Sequence, residues 1–295
     1  DVMGYEPCIL YLNGKFWGQY AIREKIDEHY VENNHNLSSD SIDLLNSWRA
    51  LNGTDIHFIE AYHMIMNTDP NSSSFYNLID LKFDLENYID YFIVGTYIQN
   101  RDWYAGANNT KLWRHQNNGR WRYVLYDTDQ SFTESLNKNY IDFVSNLFKV
   151  NSNNDTVDMS TMHSELFKRI LMNDHFKCRF VNRYQELVNT IFHSNTFWDK
   201  SEELKDKLKP VMPSQITRWS KWGMPPKTII YWEHKINLFC YHNDIRAPFA
   251  LSHVKELLIA DSCSEFIDLF IPELEIKVFS LWPSASLSII GPRFH

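Results

Sequence analysis

The sequence predicts a mixed α+β fold, with an N-terminal β-hairpin, a second hairpin near the middle and a largely helical remainder. Two pairs of β-rich runs are each joined by an Asn-Gly turn, which is a strong short-range signal for a hairpin. Helical periods dominate the chain from about residue 80 onward. Only 9 Gly and 10 Pro interrupt 295 residues, of which 15% are aromatic. This composition is typical of helices with bulky core residues.

The first hairpin consists of residues 8–12 and 19–23, which flank a turn at Asn13 and Gly14. Its first strand begins close to the start of the chain. We therefore expect the sheet to lack partner strands that precede it, and the chain to be the later portion of a longer protein.

The stretch between the two hairpins predicts helices. Residues 27–77 are polar and irregular, and we interpret them as a helical insertion with an amphipathic helix at about 55–66 and a loop at 68–74. Residues 85–99 carry apolar side chains at the i, i+4 spacing of a buried helix face. A helix there would lead at its C-terminal end directly into Asn100-Arg101-Asp102.

The second hairpin joins residues 109–114 to residues 120–126 through another Asn-Gly turn, and it ends on Asp127-Thr128-Asp129. An Asn- and Ser-rich stretch at 133–161 predicts a long loop. Further helices are predicted at 163–171, 176–192 and 227–243.

The charge balance and the cysteine spacing exclude several classes of protein. There are 29 Lys and Arg against 37 Asp and Glu, a net charge of −8, which disfavours the neutralisation of many phosphates, so no nucleic-acid partner is predicted. No apolar stretch approaches the roughly 20 residues of a membrane-spanning helix, so no membrane span is predicted. The cysteines at 8, 178, 240 and 263 lack the spacing of a zinc site, and we expect mostly buried thiols.

A group of oxygen-bearing side chains follows the predicted helix and the second hairpin. Asp102 leaves the helix, and Asp127 ends the hairpin. Asn108 and Asn109 lie between them. Phosphoryl transfer needs side chains in two different roles. Carboxylate, amide and water oxygens bind Mg²⁺, while a further carboxylate orients the acceptor hydroxyl. The order, an Asp and a downstream Asn before a hairpin that ends on a second Asp, is typical of protein kinases.

The first hairpin carries a strand that fits the same interpretation. The run Tyr-Ala-Ile-Arg at 20–23 parallels the Val-Ala-Ile-Lys strand of protein kinases, in which the small residue lies under the base and the cation faces the phosphates. Alternation places Ala21, Arg23 and Lys25 on the face towards the nucleotide. Glu24 lies behind the strand, where it could pair with a cation from the helical insertion. A twist or bulge near the strand end would turn Glu24 into the cleft in place of Lys25.

Each of these features also has a structural interpretation. An Asp-x-Asp after a strand is often a solvated turn or a helix cap, and neighbouring asparagines are common in loops. Arg23-Glu24-Lys25 is the kind of charge run that is usual at a solvated surface. Two other functions stay open. One is a surface adhesin or coat structural protein that uses the fold only to bind, and the other is a hydrolase that acts on surface glycans with two carboxylates.

Three groups of motifs, taken in order, resemble the spore coat protein H (CotH) kinase family. They are Leu-Asn-Gly-Lys-Phe-Trp-Gly-Gln-Tyr at 12–20 with Arg-Glu-Lys-Ile-Asp at 23–27, Asn-Arg-Asp-Trp at 100–103 with residues 108–109 and 112–114, and residues 121–129. Residues 163–166, 183–184 and 218–219 resemble the helical C-terminal part of that family. The resemblance covers about residues 5–240, and the order of the motifs is more specific than any one of them.

The resemblance implies an atypical protein-kinase-like fold over residues 1–250, with a truncated N-terminal lobe and a helical C-terminal lobe from about residue 80. Residues 251–295 form an extension that we interpret as the start of a β-rich module. ATP and Mg²⁺, or Mn²⁺, are the implied cofactors. The implied acceptors are Ser or Thr side chains of secreted or coat proteins, at an extracellular, cell-surface or spore-coat location.

The resemblance also implies a role for each candidate residue. Asp102 takes the catalytic role. The metal roles fall to Asp127, Asp129 and Asn109, with Asn108 as an alternative to Asn109. The nucleotide is expected to contact Ala21, Arg23, Glu24, Lys25, Asn108 and Asn109. We therefore predict an ATP- and Mg²⁺-dependent protein Ser/Thr kinase.

Overall fold

The computed structural model describes residues 1–100, 103, 109–117, 119–132, 162–223 and 226–258 of the chain. Within these residues, six strands and nine α-helices form a mixed α+β fold, so the predicted class is confirmed. The strands are β1 (Tyr5–Leu12), β2 (Lys15–Arg23), β3 (Ile42–Asn46), β4 (Arg49–Asn52), β5 (Lys111–His115) and β6 (Arg122–Val124). The helices are α1 (Glu28–His35), α2 (Ile56–Asn67), α3 (Phe75–Lys82), α4 (Leu85–Tyr97), α5 (Met162–Leu171), α6 (Asp174–Asn189), α7 (Ser194–Leu208), α8 (Met212–Trp219) and α9 (Ile229–Lys255).

Strands β1 and β2 form the first predicted hairpin, which is confirmed as an antiparallel pair. The turn residues Asn13 and Gly14 both have positive φ, 52° and 74°, the backbone of the two-residue turns that match the twist of the strands. The pair forms a sheet of its own, and large apolar side chains such as Tyr11 and Ile22 are exposed on it. An isolated hairpin is marginal in water, so this one depends on packing from elsewhere in the chain.

The second sheet has the strand order β4-β3-β5-β6, with every neighbouring pair antiparallel. Its β5-β6 pair confirms the second predicted hairpin. Strands β3 and β4 lie within the stretch predicted to be a helical insertion, so that prediction is wrong for these two elements. The first four residues of β3 are all buried and β4 has only four residues, so neither shows the polar-apolar alternation that marks a strand.

The four-stranded sheet separates two apolar clusters. On one face, Leu45, Leu112 and Tyr123 join the main core, to which helices α2 to α6 and α9 contribute. On the other face, Trp113 and Val124 pack with side chains of α1. The sheet is therefore covered on both faces, and the polar residues considered below lie at its strand ends.

Helix α4 lies in the main core and confirms the buried helix predicted in this part of the sequence. Asp84 caps its N-terminus by accepting a hydrogen bond from the backbone N–H of Asn87 at 3.2 Å. Near the other end, Gly95 leaves room for the indole of Trp103, which a β-carbon at this position would overlap. The helix ends at Tyr97, and Gln99 and Asn100, which lead towards the predicted catalytic residue, remain buried.

Helices α5, α6 and α9 confirm three further predicted helices, and α9 is longer than expected. The prediction ended it at residue 243, whereas it continues to Lys255 with Pro248 inside it. A proline in a helical pattern usually signals a break, which explains the difference. Helix α9 crosses residue 250, and the domain division there stays a prediction. The expected loop at 133–161 and residues 259–295 lie outside the described part of the chain.

Cys178 of α6 is disulfide-bonded, which corrects the prediction of mostly buried thiols at this position. Sequence spacing did not indicate this bond, because spacing carries no information on which distant segments meet. Cys240 is a buried free cysteine, and Cys8 is a half-buried one. Among the described helices, none combines the length and the apolar character that crossing a membrane requires.

His163 of α5 is a buried and hydrogen-bonded histidine. Its Nε2 lies 3.1 Å from the carbonyl oxygen of Ser47, and its Nδ1 lies 2.8 Å from the hydroxyl of Tyr123. Because a carbonyl oxygen only accepts, Nε2 carries the proton and Nδ1 accepts from the tyrosine. Burial lowers the pKa of His163 to about 4, so the folded chain holds this side chain neutral near pH 7.

The free energy of unfolding is expected to fall as the pH drops from about 6.5 to about 4. In this window the unfolded chain binds a proton at His163 and the folded chain does not, so acidification favours unfolding. We expect the loss of unfolding free energy between about pH 7 and 4.5 to be roughly 2–3 kcal/mol smaller in His163→Gln than in the wild type. Urea unfolding at the two pH values measures it. The exposed His234→Gln variant should keep the wild-type dependence. Wild-type dependence in His163→Gln would contradict the assignment.

Candidate functional site

Asp127 lies just beyond β6 on an unusual stretch of backbone. Its φ is 52°, in the left-handed region that residues other than glycine rarely adopt. Just before it, Leu125 accepts a hydrogen bond from the N–H of Met3 at 3.1 Å and donates to the carbonyl of Asp1 at 2.9 Å. These bonds hold the segment at the edge of the sheet. The half-buried carboxylate of Asp127 therefore follows a rigid element, as a metal ligand requires.

The segment after Asp127 packs against the C-terminal end of α4. The N–H of Phe132 donates to the carbonyl of Ile98 at 3.0 Å, and the phenyl ring is buried. Ile98 precedes Asp102 by four positions in the chain. Asp102 and Asn108 themselves lie outside the described residues. The structure thus brings the Asp127 segment to the helix end that leads to Asp102.

Asn109 lies at the same end of the sheet as Asp127. Strands β5 and β6 are antiparallel, with Lys111 opposite Val124, so the residues before β5 lie beside the residues after β6. Asn109 is half-buried and has a φ of 51°, which again is left-handed backbone. Two predicted ligands therefore lie at one end of a strand pair, and Asp129 follows on the exposed surface.

The end of β2 reaches this region through the first residues of the chain, which also pair with the segment before Asp127. The N–H of Glu24 donates to the carbonyl of Gly4 at 3.1 Å. Ala21 and Arg23 lie on the same face of β2, as the alternation predicts, and Arg23 is exposed. The exposed cation of Arg23 is therefore available to an anionic ligand.

Glu24 and Lys25 both have partners within the protein. The carboxylate of Glu24 accepts from the N–H of Gly4 at 2.8 Å and from the side-chain amide of Asn34 in α1 at 3.0 Å. Its partner in the predicted insertion is thus an amide rather than a cation. Lys25 lies beyond the end of β2 and pairs with Asp27 at 3.0 Å, with its side chain 85% exposed. The predicted alternation ends with the strand and does not extend to Lys25.

Lys111 belongs to this region and was missed by the sequence analysis. Its ammonium donates to the carbonyl oxygen of Ile26 at 2.8 Å and lies 5.2 Å from the ring centroid of Tyr126. It thereby joins the segment after β2, the start of β5 and the segment that leads to Asp127. Burial lowers the pKa of Lys111. The sequence signal for it, a cation at the start of a strand, is too common to single it out.

The first hairpin is fastened to the helical part through β2 and α8. The guanidinium carbon of Arg218 lies 4.1 Å from the ring centroid of Trp17 and 5.1 Å from that of Trp219. The N–H of Gln19 donates to the side-chain oxygen of Gln215 at 2.8 Å. These contacts provide packing that a two-stranded sheet needs and cannot supply for itself.

The donor set at the ends of β5 and β6 suits a hard divalent cation. Asp127 and Asp129 offer carboxylate oxygens and Asn109 offers an amide oxygen, which are ligands that Mg²⁺ and Mn²⁺ prefer. Within the described part of the chain, no group of three or more His, Cys, Asp or Glu side chains forms a metal site. The predicted set includes amides and residues outside that part, and its donors fit Mg²⁺ or Mn²⁺ by their chemistry.

Comparison of the chain with models of known protein families identifies its family. The family model described as CotH kinase protein matches residues 1–247. The chain belongs to the CotH kinase protein family. The predicted resemblance is therefore confirmed, and the CotH match spans both hairpins, helix α4 and every residue predicted for the site. A search of curated proteins found no match to the chain.

Proposed function

We propose that the chain is an ATP- and Mg²⁺-dependent protein kinase that phosphorylates Ser or Thr side chains of secreted, cell-surface or spore-coat proteins. Its membership of the CotH kinase family supports a kinase-type function. The observation that supports the proposal most is that the segments carrying the motifs lie next to one another. Backbone hydrogen bonds connect the end of β2 to the first residues of the chain, these residues to the end of β6, and the segment after β6 to the end of α4, while β5 pairs with β6. We also propose an atypical kinase-like fold over residues 1–250, with the first hairpin as a reduced N-terminal lobe.

The proposed roles at the reaction centre follow from the position of each residue. Asp127, Asp129 and Asn109 would hold the metal ion. When bound there, Mg²⁺ would supply positive charge that neutralises the phosphates of the nucleotide. Asp102, which follows α4, orients the acceptor hydroxyl and accepts its proton. The carboxylate that moves the proton and the carboxylate that binds the metal would thus come from two segments that meet at the end of α4.

The proposed nucleotide contacts come from the end of the first hairpin. Ala21 is small and would leave room for the base, while Arg23 lies on the same face with an exposed cation. Lys25 would add a second cation. Glu24 holds Gly4 and α1 together, so it would support the site as well as border it. Asn108 and Asn109 would complete the contacts on the side of β5.

A location outside the cytosol is part of the proposal. Cys178 is disulfide-bonded, and disulfides persist mainly in oxidising surroundings such as the cell exterior. The net charge of −8 disfavours a nucleic-acid partner. The proposed partners are therefore the secreted or coat proteins that receive the phosphoryl group.

Transfer of the γ-phosphate tests the proposal. The chain is incubated with γ-labelled ATP and Mg²⁺ or Mn²⁺, with casein and the chain itself as acceptors, and the labelled products are hydrolysed to amino acids. We expect labelled phosphoserine or phosphothreonine, and no label when EDTA removes the metal. Binding of Mg·ATP without transfer to either acceptor would contradict the kinase assignment.

A binding role on the same fold is the second candidate, and the exposed apolar side chains of the first hairpin favour it. Leu10, Tyr20 and Ile22 lie on one face of the hairpin and are 39%, 41% and 66% exposed. Clusters of exposed apolar residues often mark surfaces that bind another molecule. An adhesin or coat structural protein of this kind would show no phosphoryl transfer in the labelling experiment.

Arg23→Ala is expected to weaken ATP binding roughly tenfold while AMP binding changes little, because the lost cation is proposed to contact outer phosphates that AMP lacks. Calorimetric Kd values for both nucleotides in the presence of Mg²⁺ measure the difference. Lys15→Ala removes an exposed cation from the opposite end of β2 and should alter neither Kd. Equal losses for the two nucleotides would give Arg23 a structural role and leave Glu24 or Lys25 as the functional residue.

A further inference from the structure

A buried arginine of α9 binds the last turn of α4. Arg246 is 1% exposed. Its Nε donates to the carbonyl of Tyr97 at 3.0 Å, and its Nη2 donates to the carbonyl of Thr96 at 3.2 Å. Carbonyls in the last turn of a helix lack their usual partners, and the helix dipole favours a cation at this end. Arg246 therefore holds the end of α4.

Asn243, one turn earlier on α9, completes this contact. Its side-chain oxygen accepts a hydrogen bond from the hydroxyl of Tyr97 at 2.9 Å, and its amide donates to the carbonyl of Phe192 at 2.8 Å. Asn243 is fully buried. Buried polar groups and cations destabilise a fold unless they are hydrogen-bonded, so the geometry of these bonds constrains the helix end closely. We call Arg246 and Asn243 the α9 brace.

Helix α9 also contacts the segment that follows Asp127. The ring centroid of Phe132 lies 5.5 Å from that of Phe239 and 6.0 Å from that of His242, both on α9. The backbone N–H of the same phenylalanine donates to Ile98 beyond the end of α4. One helix thus contacts both segments to which the proposed reaction chemistry is assigned.

We propose that Arg246 is a positioning residue for phosphoryl transfer. By holding the last turn of α4, it sets where the chain departs towards Asp102 and where the Asp127 segment rests against Ile98. It acts through α4, by way of the carbonyls of Tyr97 and Thr96. The catalytic part of this inference rests on the proposed kinase function. Its structural part, the placement of the two segments, rests on the contacts of the α9 brace.

Hydrogen exchange on the full chain without metal or nucleotide tests the structural part. Arg246→Lys keeps the charge, but a single ammonium cannot reproduce the planar fork that serves two carbonyls. We expect amides at 96–100 and 126–132 to exchange at least about tenfold faster than in the wild type. Arg183→Lys is the matched control, because Arg183 binds Asp90 in the middle of α4 through two hydrogen bonds of 2.8 and 3.0 Å. This control should leave exchange in both segments unchanged.

Turnover and nucleotide affinity test the catalytic part. A displacement of about 1 Å at a reaction centre costs on the order of 10²-fold in rate, so Arg246→Lys should lower kcat by about that factor. The Kd of Mg·ATP should stay within about twofold, because the bonds to Tyr97 and Thr96 lie at α4 and away from the proposed nucleotide contacts at the end of β2. Arg183→Lys should keep the wild-type kcat.

The outcomes separate this inference from the proposed function. Wild-type exchange and wild-type kcat in Arg246→Lys would overturn the inference while the kinase function stands. A wild-type chain without phosphoryl transfer would overturn the proposed function, and faster exchange in the variant would still support the placement by Arg246. If Arg246→Lys does not fold, Tyr97→Phe removes only the hydroxyl bond to Asn243 and should change exchange and kcat in the same direction by roughly three- to tenfold.

Discussion

Asp127→Asn is expected to abolish Mg²⁺-dependent ATP binding while the fold stays intact. The change removes the negative charge that a hard cation requires and keeps the size of the side chain. Asparagine also tolerates left-handed backbone better than most residues, so the φ of 52° at this position is preserved at little cost. Calorimetry with ATP and Mg²⁺ measures the binding, and thermal unfolding of the apo chain confirms the fold.

The same chemical change elsewhere on the surface provides the control. Asp80 is a half-buried aspartate, its side chain 49% exposed, that pairs with Arg120 at 3.1 Å, away from the candidate site. Asp80→Asn should leave nucleotide binding unchanged. Asp129→Asn should cause a smaller loss than Asp127→Asn, because Asp129 is more exposed. Undiminished metal-dependent binding by Asp127→Asn would remove Asp127 from the metal site.

Asp102→Ala is expected to lower phosphoryl transfer by a factor on the order of 10²–10⁴ at saturating ATP, the range of general acid–base contributions. Asp102 follows the end of α4, whereas the proposed metal ligands come from the ends of β5 and β6. The affinity for Mg·ATP should therefore change little. Single-turnover transfer of labelled phosphate and calorimetric Kd values, measured on the same preparation, separate the two effects.

The opposite result for Asp102→Ala would change the role assigned to Asp102. If nucleotide affinity collapses and the rate at saturation is normal, Asp102 is a metal ligand and not the base. Asp40→Ala serves as the control, because Asp40 is an exposed aspartate in the segment before β3. It should match the wild type in both rate and affinity.

Local signals predicted the elements that build the candidate site. The Asn-Gly turns located both hairpins. In the first, Asn13 and Gly14 both have positive φ, a requirement that few residue pairs satisfy. In the second, Gly119 does not have positive φ, and it is the close approach of the His115 backbone that requires glycine there. The i, i+4 spacing located α4 for a similar reason, since a helix packed on a core must place its apolar residues on one face. The acidic residues were then placed by chain order alone, as the residues that follow these elements.

Strands β3 and β4 were missed because their signals are not local. The Ile-Asp-Leu-Leu run of β3 is buried on both faces, so its pattern does not alternate, and one of its two partner strands, β5, lies far along the chain. Arg246 was missed for the same reason, since 149 positions separate it from the carbonyl of Tyr97 that it binds. An arginine in a helix resembles a solvated surface residue until its partners are known.

The contacts between the first hairpin and α8 join parts of the chain that the ribosome makes at very different times. Gln19 and Gln215 are 196 positions apart, and Trp17 is 201 positions from Arg218. At about 5–20 residues per second, roughly 10–40 seconds of synthesis separate the hairpin from the helix on which it packs. Throughout that interval the apolar side chains and open edges of β1 and β2 are available to other chains. We therefore expect nascent chains that end before Met212 to recruit chaperones or to aggregate through this hairpin, and chains that extend well beyond Trp219 to do neither.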